Sequence, residues 1–175
     1  MAYWTGKQVL IIGAARQGTA LARYLVGQGA TVILNDRKSA DELKPALDSL
    51  RDLPESSLKW LLGGHPVSLL DGTDLVCLSG GVPITLPLIA EARQRGIPLS
   101  NDSQIFLETA PCRVIGITGS AGKTTTTTLV GRMAKAALGE HQVWVGGNIG
   151  SPLISMVDRM QPDDLAIMEL SSFQL

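Results

Sequence analysis

The sequence predicts an α/β protein with two units, each built on a parallel β-sheet covered by helices. Short runs of aliphatic and β-branched residues alternate with segments whose apolar residues recur at helical spacing. Two of these runs end in glycine-rich turns that open a helix, at residues 13–18 and 116–125. Because the connections are short throughout, we expect a doubly wound, Rossmann-like sheet in the first unit.

Composition and charge narrow the function classes. Hydrophobic residues make up 45% of the 175 residues, which is enough for packed cores, and 15 Lys and Arg balance 16 Asp and Glu. This balance predicts neither a nucleic-acid partner nor a membrane partner, so phosphate recognition would be local. No signal-peptide pattern or long apolar segment occurs, and the two cysteines are isolated. We therefore expect a cytoplasmic protein.

The elements of the first unit follow from apolar runs and the turns that end them. The run 9–12 stops at Gly13, and helical spacing begins directly after the turn. A break at Thr109-Ala110-Pro111 precedes the next apolar run, which places the first domain at 1–110. The predicted strands are 9–12, 31–34, 58–62, 75–78 and 97–100, and the predicted helices are 19–26, 40–50, 86–95 and 102–108.

The second unit, 111–175, has the same alternation but fewer elements. The chain ends shortly after its third apolar run, so we expect an incomplete domain taken from a longer protein, whose exposed strand edges would allow self-association. The predicted strands are 114–117, 143–145 and 165–170, and the predicted helices are 123–137 and 152–160.

The segment Gly116 to Thr125 predicts a P-loop for ATP, because it follows a strand and opens a helix. Its glycines let backbone N–H groups face phosphate oxygens, Lys123 supplies a positive charge, and Thr124 offers a hydroxyl to Mg²⁺. Ile117 stands where the strict pattern has glycine, so the motif is a variant. The candidate ATP-binding residues are Gly119, Ser120, Ala121, Gly122, Lys123, Thr124 and Thr125.

Glu169 ends the last apolar run, at the carboxyl edge of the predicted sheet where ligands of open α/β folds collect. Together with Thr124 it is a candidate Mg²⁺ ligand. The alternative is a strand-end carboxylate that faces water.

The turn Gly13-Ala14-Ala15-Arg16-Gln17-Gly18 is similar to the dinucleotide-binding fingerprint, with Asp36 at the end of the next strand. Ala15 replaces the middle glycine, which weakens standard NAD binding but leaves an anion site at the helix N-terminus. A nucleotide-diphosphate group near Asp36 or Arg37 is one interpretation, and a tight turn without a ligand is the other.

Three blocks in this order resemble the Mur ligase family of peptidoglycan synthesis: Gly116 to Thr125, Gly146-Gly147-Asn148-Ile149-Gly150, and Glu169 to Leu175. They are most like the branch that joins D-glutamate to UDP-N-acetylmuramoyl-L-alanine. The resemblance implies that the first domain holds the UDP-sugar. It also implies that ATP, with Mg²⁺, converts the sugar's terminal carboxylate to an acyl phosphate, from which the D-glutamate amine displaces phosphate.

The resemblance also assigns roles to residues. Lys123, Glu169 and Asn148 would be catalytic, with Asn148 near both substrate and metal. The implied UDP-binding residues are Ala15, Arg16, Asp36, Arg37, Ser79, Gly80, Gly81, Val82 and Asn148.

Two further positions depart from the family pattern: Ala121 stands where members often have Asn, and Gly80 where this branch often has Pro. The family's metal-bridging lysine, its catalytic histidine and its amino-acid-binding domain would all lie beyond Leu175. We therefore expect no ligase activity from this chain alone.

Two other functions remain open at this point. A P-loop ATPase or kinase-like module would make Gly146 to Gly150 only a turn, and an NAD-type protein built on 1–110 is disfavoured by Ala15. Neither His65 nor His141 has a catalytic arrangement around it, and both are expected in loops.

Overall fold

The structure is a computed structural model that describes residues 3–139 and 141–171. The chain divides into two compact units, Met1–Asp102 and Ser103–Leu175. Among the residues described, no helix is long and apolar enough to cross a lipid bilayer.

The first unit contains a parallel sheet, as predicted. Its strands are β1 (Gln8–Ile12), β2 (Thr31–Asp36), β3 (Leu58–Leu62), β4 (Leu75–Leu78) and β5 (Leu99–Ser100). Within the described part of the chain they lie in the order β3-β2-β1-β4-β5, and every neighbouring pair is parallel. Because the chain runs outward from β1 in both directions, the topological switch point lies between β1 and β4, where open α/β sheets bind ligands.

Helices cover this sheet at positions close to those predicted. They are α1 (Arg16–Gly27), α2 (Lys44–Ser49) and α3 (Pro87–Gln94). The next helix, α4 (Asp102–Thr109), begins at the last residue of the first unit and otherwise belongs to the second. The prediction of a helix over 40–50 is too long, because residues 40–43 form turns and Pro45 occupies the first helical turn, where its missing N–H costs nothing. A 3₁₀ helix at Val67–Leu70 was not predicted.

The core of the first unit is built around β1. Its residues 9–12 are all fully buried, because a parallel strand in the middle of a sheet is covered on both faces. On α1, Leu21, Ala22 and Leu25 are buried at helical spacing. One buried cluster joins strand, helix and 3₁₀ residues: Leu10, Ile12, Leu69, Leu70, Val76, Leu88, Ile89 and Ala92.

The second unit has a smaller parallel sheet. Its strands are β6 (Arg113–Ile117), β7 (Val143–Gly147) and β8 (Leu165–Glu169), and helix α5 (Lys123–Leu138) lies between β6 and β7 in the sequence. Among the residues that the structure describes, the strand order is β6-β8-β7. Because β8 is the central strand, its residues 166–169 are buried. Ile117, Val143 and Ile167 form the centre of its apolar cluster.

The helix predicted at 152–160 is present at Leu153–Arg159, and it is a 3₁₀ helix. Pro152 precedes this segment, and its carbonyl accepts both the N–H and the hydroxyl of Ser155. These i to i+3 bonds favour the tighter helix, since serine side chains compete for backbone acceptors.

Asp164 lies at the amino-terminal edge of the second sheet, just before β8 and opposite to the edge where Gly147 pairs with Glu169. This buried carboxylate accepts hydrogen bonds from Trp144 Nε1 at 2.9 Å, from Gln161 N at 2.9 Å and from Gln142 N at 3.2 Å. The Trp144 hydrogen bond is the main reason that the pKa of Asp164 lies below its usual range, against the opposing effect of burial.

Candidate functional site

The first glycine turn leads from β1 into α1, and it is held by the neighbouring strand. Gly13 N donates to Asn35 O at 2.7 Å, and Ala14 N donates to Asp36 Oδ2 at 2.8 Å. Ala15 is the N-cap of α1, without a side-chain cap, and the first turn of the helix has no acidic residue. The helix therefore presents uncapped N–H groups and its positive dipole end, a combination suited to an anion.

Gly18 is required by close packing inside this turn. A Cβ at this position would overlap Gly13 O, which is backbone and has no rotamer by which to move away. Gly18, the last glycine of the fingerprint, thus has its usual packing role within the first turn of α1, while Ala15, at the middle position, is exposed.

The turn after β4 meets the first glycine turn through Gln17. Gly80 N donates to Gln17 Oε1 at 3.1 Å. Gln17 is 8% exposed and Ser79 is 5% exposed, yet Gln17 Nε2 and Ser79 Oγ have no hydrogen-bond partner among the described residues. A buried polar atom without a partner costs about 1–3 kcal/mol, so these two atoms suit a ligand or an ordered water.

Sequence reasoning missed Gln17. The available signal was its place on α1: it precedes Leu21 by one helical turn and shares the buried face of an amphipathic helix, where a carboxamide needs a partner. Gly80, noted as a departure from the family pattern, has the N–H that Gln17 uses, and a proline would lack it.

The Asp36 carboxylate accepts two backbone hydrogen bonds, one of them from the first glycine turn. Its Oδ2 accepts from Ala14 N, and its Oδ1 accepts from Lys38 N at 3.0 Å. Arg16 and Arg37 are exposed around this edge, and Gly81 is exposed beside Gly80. Val82, half-buried, packs against the core cluster of the first unit.

An open cleft of ≈ 300 Å³ adjoins the same turn, between the start of α1 and α2. Ala14, Ala15 and Arg16 line one side, and Leu43, Pro45 and Ala46 line the other. The walls are mostly apolar, and their two charged residues, Arg16 and Glu42, have opposite signs.

The second glycine loop leads from β6 into α5 and is open. Residues 118–122 are exposed, and Gly122 is the N-cap of α5 in a left-handed conformation with φ 75°. As at α1, there is no side-chain cap and no acidic residue in the first turn. Lys123 Nζ donates to Gly119 O at 2.8 Å, which folds this cation back over the loop, while Ser120, Ala121 and Thr125 are exposed.

Glu169 joins three elements at the carboxyl edge of the second sheet. Thr124 Oγ1 donates to Glu169 Oε2 at 2.9 Å, and Asn148 Nδ2 donates to Glu169 Oε1 at 3.3 Å. Glu169 is only 2% exposed, so the alternative of a carboxylate that faces water does not hold. The structure thus brings together the two predicted Mg²⁺ ligands and Asn148.

Gly147 is what allows Asn148 to lie against Glu169. Gly147 pairs with Glu169 in the sheet register and has φ 102°. A Cβ at Gly147 would lie 2.5 Å from Glu169 O. Asn148 N then donates to that same carbonyl at 2.9 Å. The glycine pair is therefore part of the construction of this cluster rather than a simple turn.

The donor set fits Mg²⁺. Within residues 3–139 and 141–171, no group of three or more His, Cys, Asp or Glu side chains could hold a metal by itself. Glu169 and Thr124 offer oxygen donors instead, and Mg²⁺ is usually bound by one or two carboxylates together with substrate phosphates and waters.

Comparison with known families decides where this chain belongs. The sequence model of the Mur ligase MurD-like N-terminal domain matches residues 7–101, and that of the Mur ligase middle domain matches residues 117–175. The chain belongs to the Mur ligase family. The resemblance drawn from the three sequence blocks is therefore confirmed.

Individual Mur ligases extend this result. The chain is 42% identical to the UDP-N-acetylmuramoylalanine--D-glutamate ligase of Pelotomaculum thermopropionicum over 172 residues, which cover 98% of this chain and 37% of that protein. It is 40% identical to the enzyme of the same name from Exiguobacterium sibiricum, over 97% of this chain and 36% of that protein. The chain thus spans little more than a third of the length of these relatives.

A solved Mur ligase structure confirms the α/β fold. The UDP-N-acetylmuramate:L-alanyl-gamma-D-glutamyl-meso-diaminopimelate ligase from Neisseria meningitides matches with a TM-score of 0.57 and 19% identity. The match covers 95% of this chain and 55% of that one.

Proposed function

We propose that the chain supplies the UDP-sugar site and the ATP phosphate loop of an ATP-dependent ligase that joins D-glutamate to UDP-N-acetylmuramoyl-L-alanine in peptidoglycan synthesis. Residues 1–110 would form the UDP-substrate domain, and residues 111–175 would form the start of the ATP-binding domain. We also propose that this reaction takes place in the cytoplasm.

The cluster of Thr124, Asn148 and Glu169 carries this proposal. A phosphate loop with a carboxylate would serve many ATPases, but here an asparagine placed by a glycine pair shares the same carboxylate. Asn148 Nδ2 donates to Glu169 Oε1, and a carboxamide is a group that can both donate and accept hydrogen bonds in a substrate site. The arrangement supports a site where ATP and a second substrate meet, and the relatives of the chain carry ligase names.

Each residue of the phosphate loop has a separate task in the proposed reaction. Lys123 would leave Gly119 O to contact the β- and γ-phosphates, and the N–H groups of 119–125 would surround the phosphate oxygens. Thr124 and Glu169 would hold Mg²⁺, and the metal would neutralise charge that develops on the transferred phosphoryl group.

The first glycine turn would bind the diphosphate of the UDP-sugar. The uncapped start of α1, together with Gln17 Nε2 and Ser79 Oγ, offers donors to phosphate oxygens at the switch point of the sheet. The cleft beside α2 would accommodate the nucleoside end, with Arg16 in its lining.

NAD-type binding is less compatible with this turn. In dinucleotide-binding proteins the acidic residue after the second strand binds the ribose, whereas both carboxylate oxygens of Asp36 already accept backbone N–H groups of the chain itself. Ala15 also stands at the position where the fingerprint needs a glycine close to pyrophosphate.

Calorimetric titration of the chain with UDP-N-acetylmuramoyl-L-alanine, and separately with NADH, tests the proposal. We expect heat of binding for the UDP-sugar and none for NADH. Gln17→Ala should weaken UDP-sugar binding several-fold, while Gln94→Ala, an exposed glutamine in the same unit, should leave it unchanged. Binding of NADH without binding of the UDP-sugar would overturn the proposal.

A further inference from the structure

We propose that His65 is a positioning residue for the UDP-sugar site and that it acts through Asn35 on the first glycine turn. The inference rests on the proposed function. It gives a role to a histidine that the sequence analysis expected only in a loop, without a catalytic arrangement. In the structure His65 follows the end of β3.

Asn35 is the centre of the arrangement. It lies near the carboxyl end of β2, one residue before Asp36, and it is 0% exposed. Its side-chain Nδ2 donates to Leu61 O at 2.7 Å and to Gly64 O at 2.7 Å. These bonds attach the end of β3 and the turn that follows it to the end of β2.

His65 completes the hydrogen bonding of that carboxamide. His65 Nδ1 lies 2.5 Å from Asn35 Oδ1. Because both hydrogens of Nδ2 are directed at carbonyls, the carboxamide atom that faces His65 must be the oxygen, which only accepts. His65 Nδ1 must therefore carry a hydrogen and donate it to Asn35 Oδ1.

The backbone of the same residue reaches the ligand turn. Asn35 O accepts from Gly13 N at 2.7 Å, and the adjacent Asp36 accepts from Ala14 N. Asp36 O in turn accepts from Gly63 N at 3.0 Å, within the segment that Asn35 Nδ2 holds. The segment 61–65 and the turn that opens α1 are thus attached to the same two residues of β2.

Loss of the imidazole would disturb this arrangement in a specific way. Asn35 Oδ1 would be buried without a donor, and the carboxamide could regain one only by rotating and giving up its bonds to Leu61 O and Gly64 O. Asp36 would then lose support from the 61–65 segment, and the first glycine turn would shift, moving the N–H groups at the start of α1 from the positions proposed to meet a diphosphate. The second glycine loop belongs to the other unit and would be unaffected.

Titrations of three variants of the whole chain test this role. For His65→Ala we expect the Kd for UDP-N-acetylmuramoyl-L-alanine to rise about tenfold, with the Kd for Mg·ATP unchanged. His65→Gln offers an amide donor and should recover part of the loss. His141→Ala, at an exposed histidine of the second unit, should change neither constant. Equal UDP-sugar affinity in His65→Ala and the unaltered chain would overturn the proposal.

Two measurements without ligand separate this inference from the proposed function. ¹⁵N spectra of the imidazole should show the Nδ1–H tautomer, and in His65→Gln the amides of Gly13 and Ala14 should exchange faster while those of Val9 and Leu10 do not. If the unaltered chain bound no UDP-sugar, the proposed function would fail, and these spectra would still decide the positioning role. The Nε2–H tautomer, or unchanged exchange at Gly13 and Ala14, would count against it, including when His65→Ala does not fold.

Discussion

The two glycine turns have the same plan but differ in how they are held. Each follows a parallel strand, opens a helix without a side-chain cap and lacks an acidic residue in the first helical turn. The first turn is bonded to the end of β2 through Asn35 and Asp36. In the second loop, by contrast, the N–H groups of 118–122 have no hydrogen-bond acceptor among the residues that the structure describes.

If both turns bind phosphate as proposed, this difference predicts two ways of binding it. A turn already fixed by its own protein loses little entropy when a ligand arrives, so it favours selectivity for one shape. An open loop with unpaired N–H groups gains its hydrogen bonds only when the phosphates bind, so ligand binding orders it. We infer that the UDP-sugar site is preformed and that the ATP loop is completed by its ligand.

The largest expected effect comes from exchanging a packed glycine for alanine. Gly18→Ala places a methyl group against Gly13 O and should destabilise the first unit by more than about 3 kcal/mol. Gly122→Ala has open space around the new methyl group and should cost only about 1–2 kcal/mol, for its left-handed backbone. Urea denaturation of both variants measures the difference, and equal costs would show that the first turn is not tightly packed.

Unfolding at acid pH tests whether the second unit is stabilised away from its open phosphate loop, through the hydrogen bonds of Asp164. Because the pKa of Asp164 is lowered in the folded state, its stabilisation is complete at neutral pH and is lost as the pH falls below about 3.9 towards that lowered value. Asp164→Asn should cost about 1–3 kcal/mol at neutral pH and flatten this acid dependence. Unfolding monitored by tryptophan fluorescence at several pH values measures the change, and the exposed neighbour Asp163→Asn is the control. An unchanged acid limb in Asp164→Asn would contradict the assignment.

Loss of the Asp36 hydrogen bond to the first glycine turn should have a smaller effect on the free energy of unfolding. Asp36→Asn replaces one acceptor oxygen by an NH₂ group that opposes a backbone N–H, at a cost of about 1–2 kcal/mol to the first unit. Asp41→Asn alters an exposed carboxylate of the same unit and should be neutral. Thermal unfolding compares the two, and identical melting temperatures would mean that Asp36 does not hold the turn.

The smallest effect on stability is expected at Lys123. Lys123→Ala removes a single contact to an exposed loop and should change the free energy of unfolding by less than about 0.5 kcal/mol. Its effect on Mg·ATP affinity should be at least about tenfold, or 1.4 kcal/mol. Lys135→Ala, on an exposed face of the same helix, is the matched control in a calorimetric titration. A stability loss without an affinity loss would make Lys123 a structural residue.

Local patterns were sufficient to predict the elements and the sheet class. Short apolar runs predicted β1 and β4 closely, and the glycine signals placed the starts of α1 and α5 within a few residues. The 3₁₀ geometry of Leu153–Arg159 was not predicted, since it depends on which donor reaches Pro152 O. The early turns before α2 depend likewise on the local effect of Pro45.

The candidate sites were only partly accessible from sequence. Thr124, Asn148 and Glu169 were named from motifs. The structure brings them together because β6, which leads to the loop before Thr124, and β7, which ends just before Asn148, both pair with β8, which ends at Glu169. Gln17 and the Asn35–His65 pair were missed, because their roles depend on contacts between residues far apart in the chain. Periodicity identifies which face of an element is buried, but not which buried amide finds a partner.

Amide hydrogen exchange of the chain, measured alone and with each ligand, tests the central inference most directly. Without ligand, the N–H groups of Gly13 and Ala14 should already be protected, while those of 119–122 should exchange rapidly. Mg·ATP should then protect 119–122 strongly, and the UDP-sugar should add little at Gly13 and Ala14. Rapid exchange at both turns before ligand is added would contradict the account of one preformed and one ligand-completed phosphate site.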